Sequence, residues 1–449
     1  MSIGLDFTGK RVMVIGLART GTEMARFLGR RGATVIANDG KGAAELTART
    51  EELRGLPVEF RLGGEEPAWL EGVDLVIPSP GVPPTNRLLR AAGERGVPIL
   101  SEIEIAYRFL ETPLVAVTGT NGKSTTSTLI ARMLATDGRK AFAGGNLGEP
   151  LIGFVGGEWD WGVVEVSSFQ LEHVEEFRPR IAILLNVTED HLDRYPDLAA
   201  YRAAKERIFA AQAGDDLAVL NRDDPEVWSH SRKAARARVV SFGWSEVSEG
   251  VFATPNGIVW REKGREEIFP LARMLMRGVH NVENLMAAAA AALSIPVEPQ
   301  SVQEAIDRFP GLEHRLEFVR EKDGVSFYND SKATNVGAAV KSLASFPGPV
   351  ILLAGGLDKG GSYAPLAGAA ASRVKKLVLF GAAREVIRRA LGHLAETVVV
   401  ETMEEAVLEA SRSARPKDII LLSPACASFD AFANYAARGA RFKEIVNGL

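Results

Sequence analysis

Short runs of branched apolar residues alternate along this chain with stretches whose apolar positions recur every three or four residues, the pattern of strands followed by helices. Arg11-Val12-Met13-Val14-Ile15 predicts a strand, and Met24, Ala25, Phe27 and Leu28 predict the buried face of the helix behind it. A second strand is predicted over residues 34–37, and a third, over 74–77, runs into Ser79-Pro80-Gly81-Val82-Pro83. That rigid loop lies at the carboxyl end of a strand, where open α/β sheets bind ligands. A helix over 101–110 is broken by Glu111-Thr112-Pro113, which sets a first boundary.

The middle segment predicts strands over 114–117, 163–166, 181–185 and 217–220 and a small antiparallel patch over 239–270. A long alanine-rich helix opens at His280-Asn281-Val282-Glu283-Asn284, and another covers 302–309. Pro310-Gly311 marks a second boundary, followed by strands over 325–328, 350–354, 374–380, 397–400 and 419–422 with helical patterns between them. Such alternation implies mostly parallel sheets covered on both faces. The expected fold is therefore α/β, with domains over residues 1–111, 112–310 and 311–449. A length of 449 residues agrees with three domains at roughly 150 residues each.

One stretch carries chemistry by itself. Gly119-Thr120-Asn121-Gly122-Lys123-Ser124-Thr125 follows a predicted strand and opens a helix with Leu129, Ile130, Met133 and Leu134 on one face, the context of a phosphate-binding loop. Glycines turn backbone N–H groups onto phosphate oxygens, the helix start adds unpaired donors, and Lys123 adds a point charge. Ser124 or Thr125 offers a hydroxyl to a phosphate-bound Mg²⁺. The full Walker spacing asks for glycine where Val117 stands, so the loop is a shortened one. Gly16-Leu17-Ala18-Arg19-Thr20-Gly21, with Asp39 about twenty residues on, has a Rossmann-like outline. Ala18 replaces the middle glycine, and a structural turn fits as well as a ligand site.

Composition narrows the class. The apolar share is 46% and the charged share 24%, with a net charge of −4 and no basic run, which argues against nucleic-acid binding. No apolar run approaches the ~20 residues of a membrane span, and Asp6, Lys10 and Arg11 ahead of the first strand do not read as a signal peptide. The single cysteine, Cys426, excludes an internal disulfide and a cysteine-built zinc site. The expected protein is cytoplasmic.

Further candidates lie at strand ends. Glu165 stands within an apolar strand, where an uncompensated acid is costly and should meet a cation or strong donors. His191 follows a strand among Glu189, Asp190 and Asp193, a supply suited to a hard cation, although a loop histidine can also simply cap or pack. Gly144-Gly145-Asn146-Leu147-Gly148 reads as a loop too rich in glycine for a core. Glu313-His314-Arg315 and Asn329-Asp330-Ser331-Lys332 each place charge beside a boundary or strand, and here helix capping with a solvated lysine competes equally with ligand recognition. Lys205 reads as a lysine on the exposed face of a helix.

These motifs, in this order and over nearly the whole chain, resemble the Mur ligase family. The matching stretches are Thr118 to Thr125, Glu165-Val-Ser-Ser-Phe-Gln-Leu, Asn186-Val-Thr-Glu-Asp-His191, Tyr201-Arg-Ala-Ala-Lys205 and His280-Asn281-Val-Glu-Asn284. Further along come His314-Arg315, Asn329-Asp330-Ser-Lys332-Ala-Thr334-Asn335 and Ser423-Pro-Ala-Cys-Ala-Ser428. The Ser-Pro-Gly loop and the last two stretches point within the family to the member that adds D-glutamate, and the Asp-Asn-Pro-Arg sequence of diaminopimelate-adding relatives is missing.

The resemblance implies ATP-dependent amide ligation onto UDP-N-acetylmuramoyl-L-alanine through an acyl phosphate, in peptidoglycan precursor synthesis, by a monomer. It implies one or two Mg²⁺ ions, with Ser124 and Glu165 on one, His191 helping with a second, and Lys205 carbamylated by CO₂ into an anionic ligand. It places Asn281, Asp330 and Arg315 on the nucleotide, and Lys332, Thr334, Lys359, Ser428, Phe429 and Tyr435 on D-glutamate, with Tyr435 standing where phenylalanine is expected. Leu17, Ala18, Asp39, Ser79, Gly81 and Asn146 fall on the UDP-sugar side. Closure of the third domain would hinge near Pro310-Gly311. The alternatives are another amide ligase of this family or a folylpolyglutamate-synthetase-like one, and a dinucleotide-dependent oxidoreductase resting on Gly16 to Gly21. A GTPase switch lacks the Asn-Lys-x-Asp guanine motif.

Overall fold

Three sheets organise the chain in a computed structural model that describes residues 6–449 apart from Leu147, Leu192, Asp193, Arg277, Lys359 and Gly361. The first is four-stranded and wholly parallel, in the order Val58–Leu62, Thr34–Asp39, Arg11–Ile15, Leu75–Pro78. Its two inner strands are apolar on both faces because helices cover both, as parallel sheets require. Val12, Val14 and Val35 pack on one side, and Met13, Ile15 and Ile36 on the other.

The second sheet has nine strands. Ala141–Gly145, Trp161–Glu165, Leu114–Thr118, Ile181–Leu184, Leu217–Asn221, Arg238–Gly243 and Gly250–Thr254 run parallel, and Gly257–Glu262 and Arg265–Phe269 extend them antiparallel. The patch expected over 239–270 is thus the continuation of the main sheet: Arg238–Gly243 pairs parallel with Gly250–Thr254, and Gly250–Thr254, Gly257–Glu262 and Arg265–Phe269 pair antiparallel in turn. Gly144 and Gly145, expected in a loop, end a strand. A Cβ on Gly144 would come 2.4 Å from Phe154, and one on Gly145 would come 2.5 Å from the Glu165 carbonyl oxygen. Close approach, not flexibility, demands glycine there.

Residues 1–272 and 283–306, carrying these two sheets, form one compact unit. The helix Glu102–Phe109 stitches its parts with two buried carboxylates. Glu104 accepts backbone N–H bonds from Glu175, Glu176 and Phe177 and pairs with Arg108 at 2.7 Å. Glu102 accepts one from Ile152 at 2.7 Å through Oε1, and its Oε2 lies buried with no partner. Burial raises the Glu102 carboxyl to about 7.

Below the ordinary carboxyl pKa of about 4.5 Glu102 is protonated folded or unfolded; above 7 the folded chain must bury a charge. We expect Glu102→Gln to gain stability relative to the natural chain as pH rises from 4.5 to 7, by ~3 kcal/mol in all. Urea unfolding at pH 4.5, 6 and 8 checks this; a difference independent of pH would contradict it.

The second unit comprises residues 273–282 and 307–449. Its six-stranded sheet runs Glu317–Lys322, Val325–Asn329, Ile419–Leu422, Val350–Gly355, Val374–Phe380, Glu396–Val399, and only the first strand is antiparallel. Leu352, Leu379 and Leu421 face one helical layer, and Ile351, Leu353, Val378 and Ile420 face Val407 and Phe442 on the other. The edge strand Glu317–Lys322 carries charge at Glu317, Arg320, Glu321 and Lys322, which suits a solvent edge.

Candidate active site

The phosphate loop leaves the sheet between two strands that both contribute to the site. Leu114–Thr118 pairs with Trp161–Glu165 on one side and Ile181–Leu184 on the other, so Glu165 lies opposite Val117, two residues before Gly119. Gly119 has φ 149° and Gly122 φ 91°, the latter capping the helix Lys123–Thr136. The loop is bolted to the next strand's end. Thr120 and Asn121 N–H groups donate to the Asn186 carbonyl and side-chain oxygens at 2.9 Å each, and Asn186 Nδ2 donates back to Asn121 at 3.0 Å. Thr188 N–H donates to Thr120 Oγ1 at 3.1 Å. Ser124 and Thr125 are buried in the first helical turn, and Lys123 Nζ donates to the carbonyls of Gly119 at 2.9 Å and Thr120 at 3.0 Å.

Gly122 admits no side chain. A Cβ would lie 2.1 Å from Asn284 Oδ1, on backbone already left-handed. Gly122→Ala is expected to weaken ATP affinity at least ~10-fold and to cost ~1–3 kcal/mol of stability. Calorimetric titration with a non-hydrolysable ATP analogue and thermal unfolding read both effects; near-normal affinity would contradict it.

Glu165 is buried at the end of its strand. Its Oε1 accepts Asn146 Nδ2 at 2.8 Å, and its Oε2 is buried without a partner among the described residues. An orphaned anionic oxygen beside a phosphate loop fits a hard cation shared with phosphate oxygens, since Mg²⁺ needs few protein ligands. Among the described residues no group of three or more His, Cys, Asp and Glu forms a metal cage.

Lys205 overturns the expectation of an exposed lysine. On the helix Leu198–Glu206 it is 1% exposed. Its Nζ donates to the Gly119 carbonyl at 3.0 Å and lies 4.2 Å from the Tyr201 ring centroid. Burial, and then the nearby Lys123 ammonium, hold its pKa well below the usual lysine range. Two lysines thus converge on one carbonyl oxygen of the phosphate loop. Tyr201, one helical turn earlier, is pushed up to about 12 by burial.

His191 has a left-handed backbone, φ 54°, rare for a residue with a side chain. Its ring meets Phe169 edge-on at 4.8 Å and approaches Tyr201 at 6.0 Å, and Asp190 Oδ2 lies 3.7 Å from Nε2. The ring is partly exposed at the top of the sheet, as the cation reading requires.

The first sheet gathers the expected UDP-sugar residues at its carboxyl edge, except Asn146, which follows the strand Ala141–Gly145 of the second sheet. Leu17 N–H donates to Asp39 Oδ2 at 2.8 Å, Ser79 Oγ donates to the Gly16 carbonyl at 2.7 Å, and Ala18 precedes the helix Arg19–Arg30. Asp39 is therefore engaged by the loop's own backbone. Gly21 cannot be larger, because a Cβ would lie 1.8 Å from the Gly16 oxygen. Gly81 is open, and Ala18 and Asn146 are exposed.

In the second unit, Asn281 and Arg315 line one cleft of about 520 Å³, where Leu275, Met276, Phe318 and Tyr328 form the apolar part of the wall and Glu313, Glu317 and Glu321 an acidic part. Apolar walls with a few polar groups suit a heterocyclic base. Asp330 is buried and committed internally: Leu316 N–H donates to Oδ1 at 3.2 Å, and Ser342 and Ser423 hydroxyls donate to Oδ2. Burial raises its carboxyl to about 6. Lys332 Nζ lies 4.0 Å from the Tyr435 ring centroid, Thr334 is half-buried, Ser428 is buried and Phe429 is exposed. The loops bearing these residues are joined by the Ala425 N–H to Ala333 carbonyl bond at 3.0 Å and by the fully buried Arg438, which donates to Ser331, Cys426 and Ala427. Lys359 lies outside the described residues.

Three family models cover most of the chain: a Mur ligase MurD-like N-terminal domain over residues 10–101, a Mur ligase middle domain over 117–292 and a Mur ligase glutamate ligase domain over 314–426. The UDP-N-acetylmuramoylalanine–D-glutamate ligase of Geotalea uraniireducens is 48% identical over 448 residues, 99% of each chain. The chain belongs to the Mur ligase family. A second ligase of that description, from Geobacter metallireducens, is 47% identical over 99% of each chain. The structure of UDP-N-acetylmuramate-alanine ligase from Thermotoga maritima aligns with a TM-score of 0.60 over 98% of this chain and 99% of that one, at 20% identity, a likeness of fold.

As a Mur ligase the chain is an ATP-dependent ligase with three α/β domains. Residue reasoning singled out the loop, Glu165 and His191. It gave no role to Asn186, Asn284 and Tyr201, although all three stand in the stretches that match the family, and it missed Arg438. Those four act by packing and backbone hydrogen bonding, which leave no chemical signature of their own in sequence.

Proposed function

We propose that this Mur ligase joins D-glutamate to UDP-N-acetylmuramoyl-L-alanine with cleavage of ATP to ADP and phosphate, in the cytoplasm and as a monomer. Residues 1–111 take the UDP-sugar, 112–310 take ATP and metal, and 311–449 take D-glutamate and close the nucleotide site. The observation that carries the reading is the pairing of an orphaned buried Glu165 oxygen with two lysines around one phosphate loop.

A free carboxylate is a poor acylating agent because its leaving group would be oxide. Transfer of the γ-phosphoryl group makes it an acyl phosphate, and the amine of D-glutamate then attacks the carbonyl carbon and expels phosphate. Phosphoryl transfer asks the protein mainly for positioning and charge neutralisation. Loop N–H groups and Lys123 hold the phosphates; Lys123 exchanges its bonds to Gly119 and Thr120 for phosphate oxygens. Ser124 and Glu165 would hold Mg²⁺, with His191 at a second position, and the ion would supply neutralisation of phosphate charge.

Lys205 takes up CO₂. Only the neutral amine attacks CO₂, and a buried lysine next to a second ammonium is the one held neutral. Formation of the N–C bond releases one Nζ proton to water and leaves an N–H for the Gly119 carbonyl, and the new carboxylate is an anion near the Lys123 ammonium. On the other unit, Asn281 and Arg315 receive adenosine and its phosphates in the apolar cleft, and Asp330 shapes the loop that meets ribose. Lys332, Thr334, Lys359, Ser428, Phe429 and Tyr435 meet D-glutamate. Leu17, Ala18, Asp39, Ser79, Gly81 and Asn146 meet the UDP-sugar.

Phosphate release from ATP with the UDP-sugar and, separately, D-glutamate, L-glutamate or L-alanine tests the assignment. Turnover with D-glutamate alone supports it; preference for another amino acid would reassign the chain within the family.

A further inference from the structure

The turn Ser79-Pro80-Gly81-Val82 and the segment after His191 are far apart in sequence, yet one side chain joins them. Arg194 Nη1 donates to the Val82 carbonyl at 2.9 Å. The same guanidinium is clamped by Glu172, with Nε to Oε1 at 3.0 Å and Nη2 to Oε2 at 2.5 Å, and its carbon lies 4.2 Å over the Phe169 ring. Phe169 is the ring that meets His191 edge-on, and the N–H groups of Arg194 and Tyr195 donate to the His191 carbonyl at 2.9 and 3.0 Å. On the far side, Val82 N–H donates to the Ser79 carbonyl, and Ser79 Oγ donates to Gly16 in the turn before Leu17 and Ala18. Every link lies within the first compact unit.

We propose that Arg194 is a positioning residue that couples occupancy of the UDP-sugar loops to the placement of His191. The bidentate fork onto Glu172 leaves one nitrogen aimed at Val82, a geometry a lysine cannot reproduce. Its side chain is only 10% exposed, so solvent competes little for these bonds. His191 is held in a left-handed conformation that its surroundings must impose, and Arg194 and Phe169 are those surroundings. A UDP-sugar pressing on Ser79 and Gly81 therefore changes the restraint on His191, through a contiguous network of packed and hydrogen-bonded groups. The coupling is reciprocal: the sugar nucleotide improves the site for ATP and metal, and they improve its own, before chemistry starts. This rests on the reading that these loops take the UDP-sugar and that His191 serves the phosphates.

The test measures affinity for a non-hydrolysable ATP analogue with Mg²⁺, by calorimetry on the full chain, with and without saturating UDP-N-acetylmuramoyl-L-alanine. The natural chain is expected to bind the analogue about tenfold more tightly when the sugar nucleotide is present. In Arg194→Lys the factor falls below about two, the KM for the sugar nucleotide rises and kcat drops, while analogue affinity alone and the unfolding midpoint stay put. Should Arg194→Lys not fold, Glu172→Gln, which removes the clamp but keeps the arginine, gives the same readout. A coupling factor unchanged in either folded variant, or absent in the natural chain, overturns the proposal. A natural chain that binds no sugar nucleotide at all would instead overturn the functional reading beneath it.

Discussion

Lys205→Ala is expected to lower the ligation rate by about a thousandfold or more while leaving the fold and ATP binding largely intact. The residue is buried, so removing it leaves a gap. In the chain without CO₂, however, the gap relieves a destabilising arrangement, an amine forced out of water beside Lys123. Stability should therefore change little, whereas loss of an anionic ligand that would hold Mg²⁺ beside the phosphates should cost several kcal/mol of transition-state stabilisation. Carbon-13 NMR with labelled bicarbonate gives an independent readout. The natural chain should show one carbamate carbonyl resonance that Lys205→Ala lacks. Near-normal turnover in the variant, or no carbamate signal in an active enzyme, would dismiss the role.

Lys123→Ala should be the second large loss, on the order of 10³-fold in kcat, because preorganised charge at the transferring phosphoryl group is where such a site gains most. Its two bonds to loop carbonyls make the ammonium part of the loop, so some loss of ATP affinity accompanies the loss of rate. With Lys123 gone, one cause of the depressed Lys205 pKa disappears. Lys205 should then be protonated to a higher pH, and its carbamate should form less readily at neutral pH. Comparing the carbamate signal of Lys123→Ala with that of the natural chain from pH 7 to 9 checks this. A signal at least as strong at pH 7 would contradict the electrostatic coupling.

These two lysines mark what a sequence discloses. Lys123 is legible because its chemistry depends on neighbours along the chain: two glycines, a strand before and a helix after. Glu165 is legible for a related reason, since an acid in an apolar strand announces a partner. Lys205 is not, because its burial comes from the phosphate loop of a distant segment folding over the helix Leu198–Glu206. Only the resemblance to a family brought it forward.

The same division runs through the fold. Parallel strands covered on both faces read as unbroken apolar runs, so Leu114–Thr118, Val350–Gly355 and Ile419–Leu422 were visible. Edge strands such as Val58–Leu62 and Glu317–Lys322 mix charge with apolar positions and pass for loops. Gly144 and Gly145 looked like a flexible loop because the side chains that crowd them, Phe154 among them, are tertiary neighbours. In the second unit, Asp330 was legible as important, although its oxygens turn inward to Ser342, Ser423 and Leu316.

The central claim is that the chain activates a carboxylate by phosphorylation so that the D-glutamate amine can capture it. The most direct measurement uses UDP-N-acetylmuramoyl-L-alanine with both carboxylate oxygens labelled with oxygen-18, together with ATP, Mg²⁺ and D-glutamate. The account predicts one labelled oxygen in each phosphate released, the oxygen that bridged carbon and phosphorus, with the other retained in the new amide. Amide formation with unlabelled phosphate, or ATP cleavage without an amide, would contradict it.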